Sequence, residues 1–162
     1  MPGIRLSIKY NRYITDQNVH LRAWRAYADV RFETVGGNQA PFPCIVDSGA
    51  PFSVIPFSLW SGRNLNYDNR GDVLYPLGSS QSAPEPLEWR GIRCFVGRTY
   101  VHLVDANQST IAGPFILEGK FATISHPDAN IEKIAVLGLN FLEDNSRHLH
   151  LFGRNRNLTG NI

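Results

Sequence analysis

One carboxylate in the chain has a sequence context suited to catalysis. Asp47 follows the apolar residues 44–46 and precedes Ser48, Gly49 and Ala50. A buried strand that ends in this way delivers an acid into a tight turn, because glycine and small residues let the backbone reverse and approach a ligand closely. The tripeptide alone is also ordinary turn chemistry, in which an aspartate caps its own turn. The interpretation therefore depends on what else the chain places beside Asp47.

A second motif lies far along the chain, where the apolar residues 134–137 end at Gly138. Residues 45–50 (IVDSGA) and 136–142 (VLGLNFL) together resemble the retropepsin family, the single-lobe aspartic proteases of retroviruses and their cellular and bacterial relatives. The resemblance spans residues 26–152 in order. It implies an all-β lobe with a flap that covers the substrate, and a homodimer with one active site on its two-fold axis.

The chemistry of such a site explains the need for a dimer. Aspartic proteolysis uses two carboxylates that share a proton, one as base on the attacking water and the other as donor to the scissile carbonyl. Only Asp47 has the strand and turn context, so the second acid is expected from another copy. The remaining candidates lack a following Ser or Thr and Gly: Asp105, Asp128 and Asp144. The resemblance also assigns Ser48 to hydrogen bonding across the axis. The predicted catalytic residues are Asp47, Ser48 and Gly49, and the predicted substrate-binding residues are Ala50, Phe52, Phe95, Gly97, Val136 and Gly138.

Short strands must position these residues. Alternating apolar and polar residues predict strands near residues 4–10 and 25–33, and residues 36–38 (GGN) predict a turn. The chain then returns along residues 42–46 to Asp47. The remaining predicted elements are strands at 53–55, 134–137 and 148–152, one strand or a pair of strands at 115–124, long loops at 61–90, and one helix at 139–144. These patterns predict an all-β fold with one short helix near the C-terminus. The resemblance implies that this fold is a retropepsin-like acid-protease single lobe with barrel-like closure.

A hairpin predicted at residues 91–105, with its turn near Gly97, is the candidate flap. A mobile hairpin can close over an extended peptide and exclude water. It could also be an ordinary hairpin of the sheet, and the loop at 76–88 could cover the cleft instead. The peptide would add as a strand. Apolar residues near the turn predict hydrophobic side chains around the cut bond: Phe52, Val54, Ile55, Phe95 and Val136.

Two positions depart from the retroviral pattern. Pro51 stands where those relatives carry an acid, and Leu139 stands where they carry an arginine. The two groups pair in the relatives, and both are absent here, so no unpaired buried charge remains. We therefore expect this chain to brace its dimer and grip the peptide backbone in a different way.

Other chemistry is less strongly indicated. His148 and His150 share one face of a strand, which suits a metal, but no third ligand is placed and a solvent-facing strand is the alternative. We expect no metal and no cofactor. Cys44 and Cys94 are too few for a disulfide framework, and we expect both to be buried.

The composition is that of an ordinary soluble domain, with 43% hydrophobic residues and a net charge of +2. We predict one domain, 1–162, with an N-terminal extension at 1–25 and a core at 26–152. No stretch has the length of a signal peptide or membrane span, which predicts a cytoplasmic protein without a membrane partner. A basic N-terminal region could contact nucleic acid or lipid, although a solvated strand face is expected instead. Its residues are Arg5, Lys9, Arg12, Arg22, Arg25 and Arg31.

These observations predict an aspartic endopeptidase that acts on peptides or proteins as a homodimer. The alternative is a catalytically silent retropepsin-like module for dimerisation or peptide binding, because a fold does not decide function. The intact motif at Asp47 favours the enzyme. A third hypothesis is a small β-rich protein that binds nucleic acid or membrane through its basic N-terminal region.

Overall fold

The computed structural model describes residues 3–14, 16–34, 40–65, 67–71, 73–74, 85–108, 111–154 and 157–162. Thirteen strands and three short helices lie in this part of the chain. The strands are β1 Ser7–Ile14, β2 His20–Phe32, β3 Phe42–Val46, β4 Ser53–Ile55, β5 Tyr67–Gly71, β6 Val73–Leu74, β7 Glu85–Pro86, β8 Glu88–Trp89, β9 Ile92–Val104, β10 Ile111–Ala122, β11 Ala135–Leu137, β12 His150–Arg154 and β13 Asn157–Asn161. The helices are α1 Phe57–Trp60, α2 Ala129–Glu132 and α3 Leu139–Asp144. The predicted turn at 36–38 and most of the predicted loop at 76–88 lie outside the described residues.

Six strands close into a barrel in the order β2, β3, β11, β4, β10, β9. The ring closes because β9 pairs with residues 29–32 of β2 as well as with β10. Inward side chains follow the period of two that a pleated strand imposes, and in β3 the buried positions are Phe42, Cys44 and Val46. Fully buried side chains of other strands include Val30, Ile55, Leu103 and Phe121. The predictions of an all-β fold and of barrel-like closure are confirmed.

The N-terminal part of the chain is continuous with this body. β1 pairs with residues 20–27 of β2, whereas β3 and β9 pair with residues 26–32, so the outer part of the β1–β2 hairpin lies beyond the pairing of the barrel. The backbone of Ile4 exchanges two hydrogen bonds with Ile162, and both side chains belong to the core. Ile4 and Leu6, predicted as part of an extension, therefore contribute packing to the core.

The prediction of a turn at Gly97 is wrong. β9 continues through this position without interruption, with Gly119 of β10 as the partner of Gly97. A Cβ at Gly97 would lie 2.6 Å from the ring of Phe121, which stacks on Phe95. Glycine is present here because the aromatic side chains occupy the space of a side chain, not because the backbone must reverse.

The tight turn in this region lies at the start of β9 instead. β8 pairs with β9, with Trp89 opposite Ile92, which leaves Arg90 and Gly91 as a two-residue connection. Their φ angles are 49° and 79°. Two consecutive positive φ angles are the requirement of a type I′ hairpin turn, and glycine at the second position satisfies it without strain. The hairpin formed is therefore β8–β9, and the predicted hairpin at 91–105 does not form.

Other elements were predicted in part. α3 and β4 have the predicted bounds, but α1 and α2 are additional helices, so the prediction of one helix is wrong. Each has four residues, too few for a helical periodicity to be visible in the sequence. Residues 61–90, predicted as loops, contain β5 to β8, and β13 follows the strand that was predicted to be the last.

Both cysteines are free and buried, as predicted. Desolvation raises the pKa of the Cys44 thiol well above its usual value and that of Cys94 to about 11, so neither forms a thiolate near neutral pH. Among the described residues, no helix has both the length and the apolar character needed to cross a membrane.

Candidate functional site

Three neighbouring strands bring the two sequence motifs together. β11 lies between β3 and β4, although β3 and β4 are consecutive in the chain. It runs parallel to β3, with Val136 beside Ile45 and Leu137 beside Val46, and antiparallel to β4. Parallel strands leave a sheet at the same edge, so the turn after β3 and the glycine after β11 emerge side by side.

The backbone around Asp47 is fixed by this arrangement. Its N–H donates to the carbonyl of Leu137 at 3.0 Å, which extends the β3–β11 pairing by one residue. The Asp47 carboxylate accepts the N–H of Gly49 at 2.8 Å, and the Asp47 carbonyl accepts the N–H of Ala50 at 3.2 Å. This is the aspartate-capped turn expected from the tripeptide. Asp47, Ser48 and Gly49 are all exposed, so the fixed turn faces outward.

Gly138 is the point of closest approach between the motifs. A Cβ there would lie 2.5 Å from the carbonyl carbon of Phe52 and 2.7 Å from the oxygen of Ala50, both backbone atoms that cannot move aside. The first turn of α3 then donates to the same loop. The N–H of Leu139 bonds to the Ala50 carbonyl at 2.8 Å, and the N–H of Asn140 bonds to the Pro51 carbonyl at 3.3 Å. At the two positions that depart from the retroviral pattern, Pro51 and Leu139, the contact between the loop and α3 is therefore made by backbone hydrogen bonds.

A buried polar network completes the support. The side-chain oxygen of Asn140 accepts the N–H of Ser53 at 2.8 Å and its hydroxyl at 3.0 Å. The same hydroxyl oxygen accepts the N–H of Gly138 at 3.0 Å, and the Asn140 amide donates to the carbonyl of Glu118. Ser53 is fully buried. Sequence reasoning did not identify Ser53 or Asn140, because hydrogen bonds across this separation leave no local pattern.

An open cavity of about 380 Å³ lies against the Asp47 turn. Three of the predicted site residues line this cavity, namely Asp47, Ser48 and Val136. The residues that sequence reasoning missed are Trp24, Arg25, Leu149, Leu151 and Arg90, all of which line the same cavity. The one available signal was the Arg90-Gly91 pair between strand-like residues, which is a hairpin turn pattern.

Other predicted residues lie elsewhere. Phe52 lines a separate cavity of about 90 Å³ with Val96, on the side of Lys120 and Asp144. Phe95 packs among aromatic rings, 5.4 Å from both Trp60 and Phe121 between centroids. Gly97 is buried against the same rings, as described above.

Two further apolar residues are buried rather than available to a substrate. Ile55 is fully buried in the core, and Val54 is buried as well. Neither can form part of an open hydrophobic cleft, so this part of the prediction is wrong. The reason is that β4 is an interior strand of the barrel, and all three of its side chains are covered.

The cavity combines one acid with two guanidinium groups. Arg25 and Arg90 are both exposed, and within the described part of the chain neither forms an ion pair with Asp47 or with any other acid. By contrast, Arg98 on β9 binds Glu118 at 3.0 Å. The cationic groups beside Asp47 are therefore available for other anions.

The two histidines at the start of β12 and just before it lie on neighbouring positions of the C-terminal segment. The rings of His148 and His150 lie 6.2 Å apart between centroids, in an edge-to-face arrangement. No group of three potential metal ligands occurs among the described residues. Comparisons with models of protein families, with curated proteins and with solved structures found no match to this chain.

Proposed function

We propose that this chain is the subunit of a homodimeric aspartic endopeptidase of the retropepsin-like type, with Asp47 as its catalytic carboxylate. The observation that carries the proposal is the Asp47 turn itself. The backbone N–H of Asp47 donates to Leu137 of β11, its exposed carboxylate accepts the N–H of Gly49, and the turn lines an open cavity. Fixed geometry and access to substrate are both required of a catalytic group.

The proposed reaction is the hydrolysis of a peptide bond by an activated water. Two Asp47 carboxylates, one from each protomer, would share a single proton across the two-fold axis. The ionised carboxylate takes a proton from the water while the protonated one donates to the carbonyl oxygen of the scissile bond. Sharing is favoured because two carboxylates at about 3 Å cannot both ionise readily.

The surface around the turn supports a second copy as the partner. Trp24, Leu139 and Leu151 are large apolar residues that remain exposed, at 43%, 47% and 49% respectively. Trp24 and Leu151 line the cavity of Asp47, and Leu139 is bonded to Ala50. Apolar groups clustered on a surface are characteristic of protein contacts. The Ser48 hydroxyl has no hydrogen-bond partner among the described residues, so it can bond to a partner copy.

The β8–β9 hairpin is the candidate cover for the cleft. Its turn residue Arg90 lines the cavity together with Asp47, whereas the position first considered, Gly97, lies inside the barrel wall. A hairpin that reaches the reacting group can exclude water from it once a peptide is bound. In this proposal the flap is centred on Arg90 and Gly91.

The test compares the chain with its Asp47→Asn variant on a diverse peptide library, from mildly acidic to neutral pH. Asparagine keeps the oxygen that accepts from Gly49, so the turn should survive. We expect cleavage by the wild type and a loss of at least about 100-fold in kcat/KM for the variant. Equal cleavage by both proteins, or none by a folded dimeric wild type, would refute the enzyme and leave the silent binding or dimerisation module as the conclusion.

A further inference from the structure

The charges around Asp47 are unusual for a cleft that was predicted to favour hydrophobic side chains. Arg25, one residue before the β2–β3 pairing begins, and Arg90 at the β8–β9 turn line the cavity from two different elements. Their guanidinium groups are exposed and make no ion pair within the described residues. Among the described residues, Asp47 is the one acid that lines the cavity. Each protomer therefore contributes more positive than negative charge to this space.

We propose that the cavity selects an acidic side chain, from glutamate or aspartate, on a residue that flanks the scissile bond. This inference rests on the proposed function, because it takes Asp47 as the group that acts on the peptide bond. A guanidinium group binds a carboxylate through two parallel N–H donors, which gives both geometric selectivity and a stronger bond than a neutral pair. The substrate class is thus a peptide with an acid next to the cut.

The apolar lining of the cavity fits the same kind of side chain. Trp24, Val136 and Leu151 form part of its wall, next to the two guanidinium groups. A glutamate can pack its aliphatic stem on such a wall while its carboxylate reaches an arginine, in the way that long charged side chains cover apolar surface. An uncharged apolar side chain would pack against this wall but would leave both guanidinium groups without a partner.

Two features place this preference at the reacting bond. The cavity includes Asp47 and Ser48, so a side chain inside it belongs to a residue near the scissile carbonyl. In a symmetric dimer the cavity occurs once on each side of the paired Asp47 residues, so an acid on either side of the bond would be recognised. Arg90 lies on the turn of the candidate flap, so binding of the acid would also favour closure of that hairpin.

The first experiment measures binding without catalysis. Fluorescent peptides that differ only in Glu, Gln or Lys at the residues flanking one central bond are titrated into the Asp47→Asn protein. We expect the Glu peptide to bind at least about tenfold more tightly than the Gln peptide, because charge-assisted hydrogen bonds contribute more than neutral ones. We also expect the difference to shrink as salt is raised, since exposed charges are screened.

Charge reversal then identifies the residues responsible. Arg90→Glu and Arg25→Glu, each introduced into the Asp47→Asn protein, should abolish the preference for Glu and shift it toward Lys. Arg12→Glu is the matched control, because it makes the same change of charge at an exposed position of β1 that does not line the cavity. That control should keep the preference for Glu.

The outcomes separate this inference from the proposed function. Asp47-dependent cleavage with no preference for acidic side chains, or with a preference that survives both Arg25→Glu and Arg90→Glu, would overturn the inference and leave the peptidase intact. If the wild type does not cleave, the binding titration still decides: a preference for Glu that depends on Arg25 and Arg90 supports the acidic site. Equal binding of the Glu, Gln and Lys peptides overturns it.

Discussion

The two sides of the Asp47 turn are built in opposite ways. Behind it, Ser53, Gly138 and Asn140 form a packed network in which serine donates and accepts, and the glycine leaves no room for a side chain. In front of it, Asp47 and Arg90 are exposed, and the guanidinium has no acidic partner among the described residues. The polar groups behind the turn hydrogen bond to one another, whereas the charged groups in front of it remain available to a ligand.

Because of this difference, we expect the groups behind the Asp47 turn to determine stability and the groups in front of it to determine function. Removing a group from the rear should leave a buried donor or acceptor without a partner, which destabilises the fold. Removing a charge from the front should change binding or catalysis while the fold stays intact, because exposed groups contribute little to stability. Variants on each side can break or sharpen this distinction.

The largest effect on stability is expected from Gly138→Ala. The new methyl group would lie 2.5 Å from the backbone of Phe52, so the loop after Asp47 must move away from α3. We expect the free energy of unfolding to fall by about 3 kcal/mol or more, together with the loss of cleavage. Urea unfolding measures the first quantity, and peptide cleavage measures the second.

The matched control for this variant is Gly153→Ala on β12, where a Cβ meets no atom within 4 Å. It should retain the stability and the cleavage of the wild type. If Gly138→Ala were as stable and active as Gly153→Ala, the close contact between the two motifs would not be needed to hold Asp47, and the described rear of the site would be wrong.

A smaller loss is expected from Asn140→Ala. The variant removes the acceptor of two hydrogen bonds from Ser53, which is fully buried, and one donor to the carbonyl of Glu118. We expect a loss of about 1–3 kcal/mol in urea unfolding. Asn130→Ala makes the same change at an exposed position of α2 and should cost no more than about 0.5 kcal/mol. Equal losses in the two variants would contradict a special role for Asn140.

The smallest effect on stability is expected from Asp144, the last residue of α3. Partial burial of its carboxyl and the nearby Glu118 and Glu143 raise the pKa of Asp144, against an opposing effect of Arg98. A raised pKa means that the folded protein holds the proton more tightly than the unfolded chain, so stability falls as the pH rises through that pKa. Asp144→Asn should remove this loss.

We therefore expect Asp144→Asn to raise the Tm at neutral pH, by no more than about 2 °C. The difference from the wild type should vanish below about pH 3, where the carboxyl is largely protonated in both states. Thermal melts at the two pH values measure this. A variant with a lower Tm at neutral pH would show that the Asp144 charge stabilises the fold, contrary to the cause assigned here.

Local patterns in the sequence predicted the parts of the site that are local in the chain. The turn at Asp47, the strand β4 and the helix α3 all follow from neighbouring residue types, and each was placed correctly. The all-β class follows in the same way from alternation and turn residues, whereas barrel-like closure was expected from the resemblance to the retropepsin family. The glycine at position 138 was also identified, although its close contact with Phe52 was not.

The incorrect predictions about the residues around the site share a physical cause, which is contact between distant residues. Gly97 resembles a turn residue, but the space it leaves is filled by Phe121 from the neighbouring strand. Arg90 lines the same cavity as Asp47, although the two residues are far apart in the sequence. The sequence carries no local record of either contact, so only the three-dimensional structure reveals them.

The central claim is that Asp47 acts as a pair, one from each protomer, and subunit mixing tests it most directly. Wild-type and Asp47→Asn chains are refolded together in varied proportions at constant total concentration, and peptide cleavage is measured. If both carboxylates are required, activity should follow the square of the wild-type fraction, because mixed dimers are inactive. Activity that falls in simple proportion to the wild-type fraction would show that one Asp47 suffices, which would contradict the proposed dyad.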